Sequence, residues 1–350
     1  MEQPESTQNP QSGSKMFRNF FKRVSDKTCV FSALVFISAI PSSSSAIELE
    51  SHPKLEVLIK ELAGEKGLDP LLLENWLRSA NFKQSIIDAI TRPAEGLPWH
   101  RYRQLFVTDG SVKNGVKFMK EHADTLKRAE QKYGVPAEVI TAIIGIETRF
   151  GTVKGNHRVL DSLTTLAVGY PRRSKFFTKE LREYLILVHE NNLDPLVTKG
   201  SYAGAIGIPQ FMPSSYRYYS VDFNNDGVRN LVDDFEDAIG SVGAYLAQHK
   251  WRRGEPVSLP LSAGADEYLD SLHTRKLKAN TDISKLARAG LEIGDDQKDW
   301  KVGVIKLQDK QGDDYRVGYH NYFVITTYNR SQLYAMAAHE LSQRILKGMN

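Results

Sequence analysis

One residue breaks the pattern of the segment that carries it. Downstream of Pro136, Ile140, Ile143 and Ile144 fall on one side of a helical period, and the same steps continued land on Glu147, a carboxylate where a fourth core residue belongs. Thr148, Arg149, Phe150 and Gly151 then read as a helix end opening into a loop. A carboxyl held against isoleucines at a helix C-terminus has its charged form disfavoured by desolvation and by the helix dipole. Its pKa is therefore expected to rise, which suits a general acid near neutral pH. The same pattern also fits a structural glutamate paired with Arg149 or another base, since buried ion pairs perturb pKa too.

A second constellation is Asp222-Phe223-Asn224-Asn225-Asp226-Gly227-Val228-Arg229-Asn230-Leu231-Val232-Asp233. Counted from Asp222, oxygen-bearing side chains recur at the spacing of an EF-hand calcium loop. Gly227 stands at the sharp turn, Val228 offers a backbone carbonyl, and Asp233 replaces the usual bidentate glutamate. A shorter last ligand weakens the shell, unless Glu236 or Asp237 closes it. The alternative is an Asx-rich turn without metal. Such an ion would be structural, because protonating a sugar bond requires no calcium. Sodium is a second occupant for the loop, and magnesium is disfavoured by so many clustered carboxylates and amides.

These groups need a scaffold. The chain has 350 residues, 41% hydrophobic and 25% charged, a balance that excludes disorder as its main state and allows two or three domains, or one with insertions. A net charge of +4 with both signs interspersed argues against nucleic acid as a partner. With Cys29 as the single cysteine and no paired histidines at metalloprotease spacing, zinc chemistry is excluded. Leu55, Leu58, Ile59 and Leu62, then Leu71, Leu72 and Trp76, predict helices over 51–126, broken around Pro93 and Pro98. Helical patterns continue to Trp251. Beyond it, 301–308 alternates, 309–314 reads as a turn and 315–328 as strands. Leu333, Ala337, Leu341 and Ile345 predict a closing helix capped near Ser331.

The first 46 residues have the order of an export signal: Lys15, Arg18, Lys22, Arg23 and Lys27, an apolar run over 29–40, then Pro41, serines and Ala46. The run is short for a bilayer span. Cleavage after Ala46 and a soluble periplasmic protein are expected, with an inner-membrane tether as the outcome if the segment is retained. Cys29 stands at the start of the run, not at its end where a lipoprotein anchor needs it.

Several ordered motifs resemble the membrane-bound lytic murein transglycosylase B family: Ile146-Glu147-Thr148-Arg149-Phe150-Gly151, Tyr170-Pro171-Arg172-Arg173, Lys199-Gly200-Ser201-Tyr202-Ala203-Gly204-Ala205, Gln210-Phe211-Met212-Pro213, Asp237-Ala238-Ile239-Gly240, and Tyr328-Asn329 with Tyr334. The likeness runs from about Pro98 to the C-terminus. It implies a mainly α, α+β protein: a lysozyme-like catalytic core over 128–252 carrying the EF-hand-like loop 222–237, an N-terminal helical domain over 47–127 completed by the helix 331–350, and a small antiparallel β domain over 253–330. It implies cleavage of the bond between N-acetylmuramic acid and N-acetylglucosamine in peptidoglycan, with Glu147 as acid and base and no catalytic cofactor. The product is a 1,6-anhydromuramoyl end. A hydrolysing muramidase on the same core and a non-catalytic peptidoglycan-binding scaffold are the alternatives.

The same resemblance places Ser201 and Gln210 on the N-acetyl group or beside Glu147, and Tyr102, Tyr328, Asn329 and Tyr334 along the glycan groove. Arg172 and Arg173 fall where peptide-stem carboxylates are met, for which a guanidinium fork is suited. Taken alone, each tyrosine is better explained by a half-buried core role, and the alternative for the arginines is a solvated loop pair. The loop ligands expected from the EF-hand spacing are Asp222, Asn224, Asp226, Val228, Asp233 and Asp237, and here the sequence departs from the family, because the stretch before Asp237 is a residue longer than its pattern. Glycan strands and peptide stems are the expected partners, with cell-wall synthesis complexes as further candidates and a monomer as the expected state. Asp161, directly before an apolar helical stretch, is expected to be an N-cap; were it to face the cleft, a two-carboxylate hydrolase would follow.

Overall fold

A computed structural model describes residues 44–92, 96–191, 193–261 and 266–350. Apart from Ser44–Ala46, the expected export signal lies outside the described residues. Those three form β1 (Ser44–Ala46), antiparallel to β2 (Asn81–Lys83), so the fold takes up residues on the signal side of the Ala46 boundary.

Prolines start α1 (Pro53–Lys66) and α2 (Pro70–Arg78), and left-handed glycines stop some of the helices. α1 ends at Gly67 with φ 65°, and α2 starts behind Asp69, whose carboxylate accepts from the Leu71 amide at 2.9 Å. α3 (Gln84–Ile90), α4 (Trp99–Phe106), α5 (Asp109–Glu121) and α6 (Ala123–Tyr133) follow, the last closed by Gly134 at φ 72°. α7 (Ala137–Thr148) is then apolar on nearly every side, with Val139, Ile140, Ala142, Ile143, Ile144 and Ile146 all buried. A helix of that kind belongs inside a core, and α5, α6 and two later helices enclose it.

α8 (Val159–Gly169) and α9 (Ser174–Glu190) pack as a pair, flanked by the short ladder of β3 (His157–Arg158) with β4 (Lys199–Gly200). α10 (Pro213–Tyr219) leads to α11 (Phe235–Gln248), whose N-cap Asp234 accepts from the amides of Glu236 at 2.7 Å and Asp237 at 3.1 Å. The expected cap at Asp161 is corrected: Arg158 is the N-cap residue of α8 without a capping side-chain bond, and Asp161 stands inside the first turn.

A smaller unit follows. β5 (Ser258–Pro260), α12 (Asp266–Leu272), β6 (Thr281–Asp282), β7 (Lys301–Gln308) and β8 (Asp313–Gly318) give an antiparallel sheet in the order β5-β8-β7-β6. Leu269, Ile283, Leu286, Val302, Val304 and Val317 form a core separate from the large one. The strand expected at 301–308 is present, but the expectation of strands through Tyr328 is corrected, because His320–Tyr328 is helix α13. Tyr322, Phe323, Val324 and Ile325 carry a β-type composition, yet all are buried in the large core, and packing overrides so weak a propensity.

α14 (Gln332–Met349) starts at Ser331, whose hydroxyl accepts from the Tyr334 amide at 3.2 Å. It packs on α4, α5, α7 and α13. The end of the chain is thereby laid across the helix that carries Glu147.

Candidate functional site

The site is built around an abrupt stop. Beyond Thr148 the backbone takes three left-handed residues in succession, Arg149 (φ 49°), Phe150 (φ 60°) and Gly151 (φ 80°). Two of them carry side chains, at a cost on the order of 1–2 kcal/mol each. The turn folds the Phe150 ring back onto Gly145, where a Cβ would stand 2.6 Å from the ring, so only glycine fits. Thr148 fastens the stop: its hydroxyl donates to the Ile208 carbonyl at 2.8 Å and accepts from the Gly151 amide at 3.0 Å.

The segment 207–210 is tied down residue by residue. Gly207 (φ 78°) lies so close to the Leu231 carbonyl that a Cβ would come within 2.2 Å of it. The Pro209 carbonyl accepts from the Tyr328 hydroxyl at 2.5 Å. Gln210, left-handed at φ 50°, donates its side-chain amide to the carbonyls of Gly207 at 2.9 Å and Lys154 at 3.1 Å.

Glu147 is buried, 4% exposed, and its Oε1 accepts from the Tyr334 hydroxyl at 2.6 Å. Burial first, and the neighbouring Glu147 charge second, push the Tyr334 phenol well above its ordinary pKa, so it remains a donor to the carboxylate. Tyr328 stacks parallel to Tyr334 with centroids 6.4 Å apart, and Tyr102 lies close enough to act on the Tyr334 charge. The structure therefore gathers Glu147, Tyr102, Tyr328 and Tyr334. Tyr102 and Tyr334 are fully buried, Asn329 is buried and Tyr328 is half-buried. The Asn329 side-chain oxygen is buried without a hydrogen-bond partner.

The other expected residues have contacts of their own. Ser201 Oγ accepts from the Ala205 amide at 3.0 Å, closing its own turn. Arg172 is exposed on the 3₁₀ turn between α8 and α9, and Arg173 lies over the rings of Phe176 (4.1 Å) and Phe177 (5.2 Å). Asp161 is buried and both its oxygens are engaged: Oδ1 by the Asn81 amide and Arg158, Oδ2 by Lys83 at 2.8 Å. Burial raises its pKa, but Arg158, Lys83 and the amide outweigh that and leave it lowered. Thr148 and Tyr245, which donates to the Thr327 carbonyl and packs on Tyr328, support the site without having been expected. For Thr148 a signal existed, a buried polar residue beside Glu147 and three before a glycine; Tyr245 had none.

In the loop 222–237, Asp222 accepts from the amides of Asp226 (3.1 Å) and Gly227 (2.8 Å), and Asp226 from that of Val228 (2.8 Å). Asn224 Oδ1 accepts from the Asp226 amide at 2.9 Å. Asp233 turns outward to Lys154 at 2.8 Å, so it is not drawn in with the other oxygens. Asp237 is fully buried, its carboxylate accepting from the amides of Phe223 and Asn230, each at 2.7 Å. It has no ion pair among the described residues, and burial raises its pKa. Nor do the described residues contain a ready-made cluster of three acidic or histidine side chains around one point.

The site thus sets a buried carboxyl at a strained helix end within a mainly helical core. The transglycosylase SLT domain family model matches residues 50–343, and the chain belongs to that family. It is similar to the membrane-bound lytic murein transglycosylase B of Escherichia coli, 38% identical over 312 residues that cover 85% of this chain and 84% of that protein. Among solved structures, soluble lytic transglycosylase SltB1 from Pseudomonas aeruginosa is 45% identical with a TM-score of 0.78, covering 85% of this chain and 99% of that one. The Escherichia coli lytic transglycosylase Slt35 in complex with calcium is 38% identical with a TM-score of 0.77, covering 85% and 94%.

Proposed function

We propose that this protein is a peptidoglycan lytic transglycosylase in which Glu147 is both acid and base. Protonated Glu147 gives its proton to the glycosidic oxygen as the bond to C1 of N-acetylmuramic acid breaks. The substrate's own N-acetyl oxygen attacks C1; the Glu147 carboxylate then takes the O6 proton, and O6 displaces the acetamido oxygen to close the 1,6-anhydro ring. Tyr334 orients the carboxyl, Ser201 and Gln210 meet the N-acetyl group, Tyr328 and Asn329 line the path of the sugar with Tyr102 behind them, and Arg172 and Arg173 receive stem carboxylates.

The observation that carries this reading over a hydrolase is the state of Asp161. A second carboxylate that activates water needs a free oxygen facing the sugar, and both oxygens of Asp161 are spent on Arg158, Lys83 and a backbone amide. The names of the relatives support the same substrate.

The loop 222–237 suits a structural calcium. Its donors are oxygens, the ion preferred by such a set is hard, and the Asp237 carboxyl is buried beside it with no ion pair among the described residues. Asp222, Asn224, Asp226, the Val228 carbonyl and Asp237 would hold it. The basic and apolar order of the first 46 residues supports export to the periplasm, and no helix among the described residues is long and apolar enough to cross a membrane.

The test is mass spectrometry of peptidoglycan digested by the protein, with Glu147→Gln alongside. Anhydromuramoyl ends that vanish in the variant, while glycan binding and folding persist, are expected. Hydrated reducing ends would replace this reading by a muramidase, and normal turnover by Glu147→Gln would remove Glu147 from the mechanism.

A further inference from the structure

A cavity of about 550 Å³ opens on the far side of the Gln210 anchor, between the end of α9, β4 and the segment leading to α11. Lys154, Lys199 and Arg229 supply its charge, and Leu193, Val197 and Val228 much of its apolar wall. Two features set it apart from ordinary surface. Lys199 and Arg229 make no ion pair among the described residues, Arg229 reaching the Arg217 carbonyl at 3.5 Å with its charge also acting on Glu190, and the one carboxylate in the lining, Asp233, is already held by Lys154 at 2.8 Å. Beside these cations, Val197 is 66% and Val228 52% exposed, with Leu196 next in the chain at 46%. Unpaired cations focus potential in a concave site, and apolar side chains left bare around such a site mark a place that something covers.

The complementary ligand is short, carries one anionic end and has small apolar side chains. Position favours one source: the Lys154 and Gly207 residues that line the cavity also hold the Gln210 amide through their carbonyls, so the cavity shares a wall with the proposed glycan site. We propose that the cavity is a second peptide-stem site, in which Arg229 and Lys199 take the terminal carboxylate of a stem and Val197 and Val228 pack its alanyl methyls. The assignment to a stem rests on the peptidoglycan reading; the carboxylate specificity of the cavity does not.

The probe is N-acetyl-D-alanyl-D-alanine titrated into the whole protein, with binding read by calorimetry and by amide shifts at Val197 and Val228. Saturable binding is expected, about tenfold weaker for the C-terminally amidated probe and about tenfold weaker in Arg229→Gln and in Lys199→Gln, as the loss of one charge-assisted contact implies. Val197→Glu, at an exposed position that folding tolerates, places a like charge on the rim and should abolish binding. Equal binding of acid and amide, affinity unchanged in these variants, or no saturation would overturn the site. Preference for the L,L enantiomer would overturn the stem assignment and point to a protein C-terminus instead. Anhydromuramoyl release measured in parallel keeps the two readings apart, since catalysis can persist when this binding fails.

Discussion

Glu147 and Tyr334 meet across 187 positions of sequence at 2.6 Å. The tyrosine is kept protonated by burial and by the very carboxylate it serves, so it stays a donor that fixes one carboxylate oxygen. Tyr334→Phe removes that bond at nearly constant volume. Steady-state kinetics on soluble glycan fragments should show kcat lowered by about 10–100-fold with KM little changed, the size seen when a supporting hydrogen bond to a working group is lost. Stability should fall by about 1–3 kcal/mol, the cost of an unsatisfied buried group. A lowered KM affinity with intact kcat would instead make Tyr334 a sugar-binding residue. Glu147 was legible in the sequence because it interrupts an apolar period. Its partner was not, because nothing in a local pattern reports which distant phenol will be packed against it.

At the scale of elements, Asp161 shows how a correct residue can receive a wrong role. A carboxylate near a helix start has the composition of a cap, but its oxygens reach out to Arg158, Lys83 and the Asn81 amide, pinning the β1–β2 ribbon to α8. Asp161→Ala strands two cations and an amide, and denaturant unfolding should report a loss of about 3–5 kcal/mol. A second junction lies where α14 meets the small sheet. His339 has its pKa lowered to about 4 by burial first and by Arg316 second, while Ser258 and Glu340 act in the opposite sense. The folded protein thus holds this imidazole neutral while the unfolded chain binds a proton below about pH 6.5. Stability is retained above that pH and lost as pH falls from about 6.5 towards 4, by about 1–3 kcal/mol. Thermal melts of wild type and His339→Gln over this range should converge at acid pH if the histidine is the cause.

For the whole molecule, the calcium proposed for the loop 222–237 would couple an ion to the fold. The buried Asp237 carboxyl accepts from the Phe223 and Asn230 amides and has no ion pair among the described residues. Calcium bound only to the folded state adds about 2.7 kcal/mol at a hundredfold excess over its Kd. Scanning calorimetry should therefore find Tm raised by several degrees with calcium, returned by a chelator, and unresponsive in Asp222→Ala. Cleavage by the folded, chelated protein should continue, because the proposed ion takes no part in the proton transfer.

The sequence by itself determined the helical character of the chain, the strand at 301–308, the Ser331 cap, the odd carboxylate at 147 and the oxygen-rich loop. Each of these is written in periodicity or spacing within a few residues, where backbone geometry fixes neighbours. Only the tertiary structure decided that 320–328 is a helix, that Asp161 is an ion-pair anchor, that Asp233 faces Lys154, and that Tyr102, Tyr328 and Tyr334 close around Glu147. Those outcomes depend on burial and on contacts between distant segments, energies that outweigh a propensity of a few tenths of a kcal/mol and leave no trace in local order.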